Sequence, residues 1–218
     1  DGPPTIDGDL VFDFDLYNVA IPITGTRVIV FPFQPQSPLR EFLRFNTQVI
    51  DRVNGSEQRI KMRKNPRQEF IFNLRADGPE RAAIQNFLFD RQAGSFGIPV
   101  WTEPSYLTAQ ATAGATSLAV DSTLYADFRV GSLLILFRDR FTYDALPIAS
   151  VGSNAINLAS PTNITFPAGT IVLPMRLALT VNTIAASRRI LRLADTEIRF
   201  RVIDNDVDLA DASAFNTF

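Results

Sequence analysis

Proline and glycine are scattered along the whole chain, and their spacing limits what the chain can fold into. The 218 residues include 14 Pro and 11 Gly, which separate short runs rich in Val, Ile, Phe and Thr. Such runs are typical of strands, because β-branched and aromatic side chains suit a pleated sheet while Gly and Pro suit turns. The sequence therefore predicts a mainly β fold with many turns.

The first part of the chain contains five candidate strands, at residues 10–15, 26–33, 42–50, 58–64 and 68–74. In the fourth, apolar and basic residues alternate, with Ile60 and Met62 on one face and Arg59, Lys61 and Arg63 on the other. Because successive side chains of a strand point to opposite faces, this alternation predicts a half-buried strand with one charged face.

One helix is predicted over about residues 78–93. Asp77 suits the N-cap, Glu80 follows three residues later as in a capping box, and Gly94 suits the position after the last turn. Apolar residues recur from Ile84 at i, i+3 and i+4, which is the spacing of a stripe that packs on a sheet.

The composition changes near residue 106. From Tyr106 to Arg176 the residues become smaller and more polar, with short candidate strands at 117–121, 132–137, 147–151, 155–158 and 170–173, and a hairpin-like turn at Gly152-Ser153-Asn154. This spacing is typical of a small β-barrel. Residues 177–181, 190–193 and 196–202 return to the earlier pattern. We therefore predict a discontinuous, β-sandwich-like host domain (1–105 and 177–218) with one α-helix and an inserted small β-barrel domain (106–176).

The chain has no His and no Cys, which excludes several kinds of site. Nucleophiles activated by His, zinc sites built from Cys or His, and disulfides all need these residues. Lys plus Arg is 21 and Asp plus Glu is 23, so the overall charge does not favour nucleic acid. No apolar run approaches the roughly 20 residues that cross a bilayer. We expect no enzyme activity, no cofactor, no nucleic-acid contact and no membrane span.

Two acidic features of the sequence have some likeness to known sites. Residues 204–208 place carboxylates at alternate positions, as in the first half of a calcium loop, but Leu209 and Phe215 stand where that loop needs Gly and Glu. Glu103 lies beside Trp101, a pair with some likeness to a glycosidase site. With 18 Phe and one Trp, the aromatic content is that of a core rather than a sugar platform. Neither a metal site nor a catalytic residue is predicted.

The residues that remain suggest contacts between subunits. A basic strand often forms one side of such a contact, and a Pro-rich segment such as 30–38 suggests an extended arm that packs on something. Trp101, between Pro99 and Pro104, suits a packing anchor at a domain joint. The candidate subunit-contact residues are Arg59, Lys61, Arg63, Arg67, Trp101, Phe31 and Phe33.

The order of several segments resembles tail proteins of long-tailed bacteriophages. Residues 63–70 (RKNPRQEF), the capped helix and residues 94–101 (GSFGIPVW) follow one another as in those proteins, and residues 113–121 and 128–134 resemble β-barrel modules of virion proteins. The resemblance implies a distal tail, or tail-tip (baseplate), structural protein in the virion, assembled in the host cytoplasm.

By the same resemblance, the chain would form a cyclic homo-oligomer, a trimer or hexamer, that links the tail tube protein to a hub or fibre protein. The alternatives are a host-recognition or carbohydrate-binding module of the virion, with the inserted barrel as the binding part, and a virion enzyme such as a wall hydrolase.

Overall fold

The protein is described by a computed structural model that covers residues 5–14, 17–26, 28–51, 53, 55–62, 65–89, 94–181, 185–190 and 193–203. The fold is mainly β, as predicted, and these residues form sixteen strands and one helix. The elements are β1 Thr5–Phe14, β2 Tyr17–Thr26, β3 Ile29–Val30, β4 Gln36–Arg44, β5 Thr47–Asp51, β6 Glu57–Lys61, β7 Arg67–Ala76, α1 Gly78–Phe89, β8 Phe96–Pro99, β9 Ser105–Tyr106, β10 Ser117–Ala119, β11 Leu133–Asp139, β12 Thr142–Val151, β13 Ala155–Leu158, β14 Ile171–Thr180, β15 Ala185–Ile190 and β16 Leu193–Val202.

Most strands belong to one large sheet, and two hairpins stand apart from it. In the host part of the sheet the strands lie in the order β3, β8, β14, β16, β7, β4, with β15 also paired to β16. In the described residues β3 and β4 form its opposite edges. The hairpins β1–β2 and β5–β6 are each a separate two-stranded sheet.

The host core lies between one face of this sheet and a layer that contains α1. On β7, Phe70, Phe72 and Leu74 alternate onto the inner face, opposite residues of β16 that include Phe200. The second layer, expected to be a sheet as in a sandwich, is formed in the described residues by α1 and the segment 31–35. The two layers bury a cluster of phenylalanine rings.

The helix begins where the sequence predicts. Its first turn is closed by a hydrogen bond from the Arg81 amide to the Asp77 carbonyl, at 2.7 Å. Ile84 is buried and Phe87 packs against the core, so the apolar stripe faces the sheet. The helix extends to Phe89, and the last predicted turn, residues 90–93, lies outside the described residues.

The strands of residues 105–172 close into a ring. They pair in the order β10, β13, β12, β11, β14, and β9 pairs with the far side of β14. Leu107 forms a bridge to Val120 beside β10, and the Thr108 amide donates to the Ala119 carbonyl at 2.9 Å. This connectivity is that of a small closed barrel with its own apolar core. The turn at residues 152–154 joins β12 to β13, as predicted.

One strand runs through both parts of the chain. β14 pairs with β11 through residues 171–174 and with β8 and β16 through residues 175–180. The expected boundary between residues 176 and 177 falls inside it. A third apolar cluster joins the two parts, with Ile135 and Phe137 of the barrel against Val30 of the host. The division into two domains stays a prediction.

Several predicted strands differ from the structure. Residues 170–173 and 177–181 are parts of the single strand β14, and residues 17–26 form the unpredicted strand β2. Residues 42–50 are divided into β4 and β5 by Phe45 and Asn46, and the described residues 28–33 contain only the short β3. The expectation that the strand around Ile60 is half buried is wrong, because every residue of β6 is exposed. Alternation alone does not bury a strand unless another layer packs on its apolar face.

Candidate assembly interface

The basic candidates from the sequence lie on two different elements. Arg59 and Lys61 are on β6 with exposed side chains, and the Arg59 Nε lies 2.6 Å from the Glu57 Oε1. Arg67 begins β7 and is exposed. Arg63 lies outside the described residues. The structure therefore places this charge partly on a hairpin and partly on the main sheet.

The apolar candidates lie inside the chain. Phe31 is 0% exposed and Phe33 is 7% exposed, so neither ring is available to a neighbouring subunit in this conformation. The Pro-rich segment is extended and packs on something, as predicted, but its partner is the chain's own core. Prolines prevent sheet pairing without preventing burial.

Trp101 packs where the two parts of the chain meet. Its ring contacts Phe137 edge-on, with centroids 5.0 Å apart, and it packs against the host core and the joining cluster. Its buried Nε1 has no hydrogen-bond partner among the described residues. This agrees with a packing anchor at a joint.

The first hairpin, β1–β2, carries an exposed apolar face. Leu10, Phe12 and Phe14 recur at every second position of β1 and share one face, together with Val19 and Ile21 of the paired strand. These five side chains are 39% to 49% exposed. A two-stranded hairpin is marginal in water on its own, so this apolar face is suited to contact with another molecule.

The opposite face of the same hairpin is acidic. Asp9, Val11 and Asp13 alternate with the apolar residues of β1, and all three are exposed. Residues 5–26 contain no Lys or Arg. We call β1–β2 the acidic arm.

The second hairpin, β5–β6, is also exposed throughout. Val49, Ile50 and Ile60 are among its apolar residues, and Met62 follows it with 56% exposure. One backbone hydrogen bond, from the Met62 amide to the Asn46 carbonyl at 2.9 Å, closes its base. We call this hairpin the basic arm, because Arg59 and Lys61 lie on it and further Lys and Arg residues follow it in the sequence.

The outer face of the main sheet carries a cluster of arginines near the edge strand β4. Strand register places side chains from β4, β7 and β16 on this face. The cluster, here called the arginine face, consists of Arg40, Arg44, Arg67, Arg199 and Arg201.

A single buried carboxylate organises part of the arginine face. Glu69 is 1% exposed, and its two oxygens accept from different guanidinium groups: Oε2 from the Arg44 Nε at 2.9 Å and Oε1 from the Arg201 Nε at 3.3 Å. With Arg67, Phe45 and Asn46, these residues line an open cavity of about 360 Å³. Three guanidinium groups around one carboxylate leave an excess of positive charge that suits a carboxylate from another molecule.

A second charged cluster lies at the joint between host and barrel. Arg176 is 2% exposed, and its guanidinium lies 2.7 Å from the Asp127 Oδ2 and also donates to the Asp127 carbonyl. Asp127 also accepts from Arg129. The Glu103 Oε2 accepts from the Asp127 amide at 2.7 Å. The cluster ties the linker at Glu103 to the barrel and to β14.

The two carboxyl groups of this cluster have displaced pKa values. Burial raises the pKa of Glu103 above its usual 4.5, against the opposing effects of the Asp127 amide and the Arg176 charge. Burial acts in the same direction on Asp127, but the hydrogen bond from Arg129 and the charge of Arg176 outweigh it, so the pKa of Asp127 lies below its usual 3.8. Both carboxyl groups accept hydrogen bonds from other residues of the chain, which suits a structural role at the joint.

Sequence reasoning missed the arginine face and the exposure of the acidic arm. Glu69 and Arg201 are 132 residues apart, so their meeting depends on strand order. Alternate charges in residues 40–44 and 197–201 are a signal that these strands share a charged face, but they do not show that the strands are neighbours.

The described residues contain no group of three or more acidic side chains placed to hold a metal ion. The acidic segment 204–208 lies outside them. No helix among the described residues has the length and apolar character needed to cross a membrane. No protein-family model matches the chain, and a search of curated proteins finds no match.

Proposed function

We propose that the chain is a non-catalytic structural subunit of a bacteriophage tail tip, which forms a ring that links the tail tube to hub or fibre proteins. The observation that carries the proposal is the pair of exposed hairpin arms. Both project apolar side chains that the rest of the described chain does not cover.

The arms favour assembly over an isolated globular role. A monomeric protein gains nothing from leaving Leu10, Phe12 and Phe14 exposed together on one hairpin face. A subunit of a larger particle gains a contact surface, because a neighbouring subunit that packs on these side chains removes their apolar area from water. The resemblance of residues 59–173 to phage tail proteins is the reason for proposing a phage tail as the particle.

The charge distribution supports a ring of identical subunits. An acidic arm and an arginine face on the same chain are complementary surfaces, and complementary charges set which partners associate and in what register. A contact between two different surfaces of one chain closes into a ring when the rotation between copies allows it.

The proposal is tested by the mass of the full chain in solution and by its presence in particles. Light scattering over a range of concentrations should give a discrete multiple of 24.2 kDa, a trimer or a hexamer, and electron microscopy should show rings. Antibody labelling of purified tails should mark the tip. A monomer at every concentration, alone and with the tail tube protein, together with unlabelled tails, would contradict the proposal.

A host-recognition or carbohydrate-binding module is the second candidate, favoured by exposed aromatic side chains on the barrel. Tyr125 is 86% exposed, Phe141 is 82% exposed and Tyr106 is 44% exposed. Tyrosine suits sugar contact because its ring stacks while its hydroxyl forms hydrogen bonds. Binding of the full chain to a glycan array, lost in Tyr125→Ala, would favour this candidate.

A further inference from the structure

The free edge of the main sheet and the first strand of the acidic arm carry matching patterns of opposite charge. On β4 the outward residues are Arg40, Phe42 and Arg44, and β4 pairs only with β7 among the described residues. On β1 the acidic face has Asp9, Val11 and Asp13. Each strand therefore presents charge, apolar, charge at positions i, i+2 and i+4.

The distances between the charges also match. Four residues along a strand span about 13 Å, so the two arginines of β4 and the two aspartates of β1 are separated by about the same length. The other faces match in part. Leu10 and Phe14 of β1 are exposed, and β4 carries the 53%-exposed Leu43 and the core-packed Leu39 on its opposite face, with Glu41 between them.

We infer that β1 of one copy adds in antiparallel register to the free edge of β4 in a second copy of the chain. Asp13 then lies opposite Arg40, and Asp9 lies opposite Arg44. The antiparallel register is favoured because parallel strand pairs are slightly less stable per residue, and it places Leu10 opposite Leu43. The backbone hydrogen bonds of such strand addition supply affinity, and the side chains supply selectivity.

Strand β1 is better suited to this contact than its partner β2. Pro22 lies within β2 and removes one backbone donor, whereas no proline lies within β1. The arginines of β4 could also have a different role, because charges on an edge strand discourage unwanted pairing with other strands. Aspartates at the matching positions of an exposed strand in the same chain favour selective pairing.

The positions of the two surfaces suit contact between copies. The acidic arm ends at Thr26, two residues before Val28, and leads into β3. In the described residues, β3 and β4 form opposite edges of six strands, which lie about 24 Å apart at the usual strand spacing. A donor at one edge and an acceptor at the other form a head-to-tail contact, which closes into a ring or extends as a filament.

The inference names the contact within the proposed ring and so rests on the proposed function. Its test is charge reversal in the full chain, with light scattering as the readout. Asp13→Arg and Arg40→Asp should each raise the concentration for half-assembly at least tenfold, because an attractive pair becomes a repulsive one. Arg40 is chosen because it has no ion pair among the described residues, so its reversal leaves the Glu69 site intact.

Mixing the two variants is the decisive step. The reversed arm of the first variant fits the reversed edge of the second, and the unchanged arm of the second fits the unchanged edge of the first. An equimolar mixture should therefore recover assembly when the ring has an even number of subunits. The double variant Asp13→Arg/Arg40→Asp should recover assembly for any number.

The control variant Glu197→Arg changes the net charge as much as Asp13→Arg, at an exposed position of the main sheet on β16, which β7 separates from β4. It should assemble like the unmodified chain. Unfolding followed by Trp101 fluorescence checks that each variant is folded. Assembly that survives both single reversals would overturn the inference and leave the proposed function standing. A chain that is monomeric before any substitution and is missing from tails would overturn the proposed function first.

Discussion

Replacing Phe31 separates two roles for that residue, core packing and subunit contact. Its ring is 0% exposed and lies among other rings, with centroids 5.0 Å from Phe33, 5.1 Å from Phe200 and 5.6 Å from Phe87. Truncation to Ala removes a buried ring from a site whose neighbours are held by the sheet and by α1, so little collapse of the cavity is expected.

The expected loss follows from that packing. Buried Phe→Ala substitutions cost about 3–5 kcal/mol, and the loss of several edge-on ring contacts places Phe31→Ala near about 4 kcal/mol. For a chain of this size each kcal/mol lowers the melting temperature by about 2–4 °C, so the shift should be about 8–16 °C. The mass of the protein at temperatures where it is folded should not change.

Urea unfolding at a low protein concentration, followed by the fluorescence of Trp101, measures this loss, since the chain has one Trp. Phe141→Ala is the matched control: the same truncation at a ring that is 82% exposed should cost less than about 1 kcal/mol, its contact with the Arg140 guanidinium included. A loss below about 1 kcal/mol for Phe31→Ala, accompanied by a lower assembled mass, would refute the core assignment and restore Phe31 as a contact residue.

Three further substitutions test other parts of the structure. Gly97→Ala should cost about 1–3 kcal/mol, because the added methyl carbon would lie 2.4 Å from the Met175 Cε and 2.6 Å from the Val28 Cγ1; Val28→Ala should recover part of the loss in urea unfolding. Because the lowered pKa of Asp127 means that its ionised form favours the folded state, its contribution is complete above pH 3.8 and is lost as the pH falls through the lowered pKa. Asp127→Asn should therefore lose less stability on acidification than the unmodified chain, and equal acid sensitivity would argue against the ion pair. Ile60→Ser should change the unfolding free energy of the monomer by less than about 0.5 kcal/mol, whereas a loss above about 1.5 kcal/mol would show that β6 is buried after all.

The features that sequence predicted well are local ones. The start of α1 depends on Asp77 and the residues just after it, and the hairpin turn at Gly152 depends on its neighbours in the chain. Turn residues at short, even spacing were enough to predict where most barrel strands lie, although β12 begins at residue 142 rather than 147 and β14 extends to residue 180 rather than 173. Each of these features is determined by residues that lie close together in the sequence.

The features that sequence could not predict depend on which strands are neighbours. The cavity around Glu69 needs β4 and β16 on either side of β7, and no pattern within a single strand contains that order. The burial of Phe31 was missed because prolines on either side of Phe33 suggested an exposed segment, although Pro32 and Pro35 are themselves buried. The exposed face of β6 was missed because the alternating pattern does not show whether a second layer exists.

The uninterrupted strand β14 also determines how the barrel passes a mechanical load to the host. A pull on the barrel along β14 would shear the hydrogen bonds to β8 and β16 together, rather than open them one at a time. The buried Arg176 sits in the same strand and ties it to the barrel at Asp127, which resists twisting of one part against the other. In the proposed tail-tip role, this arrangement would give a stiff connection between an attached fibre and the tube, whereas a flexible linker would let the two parts rotate under load.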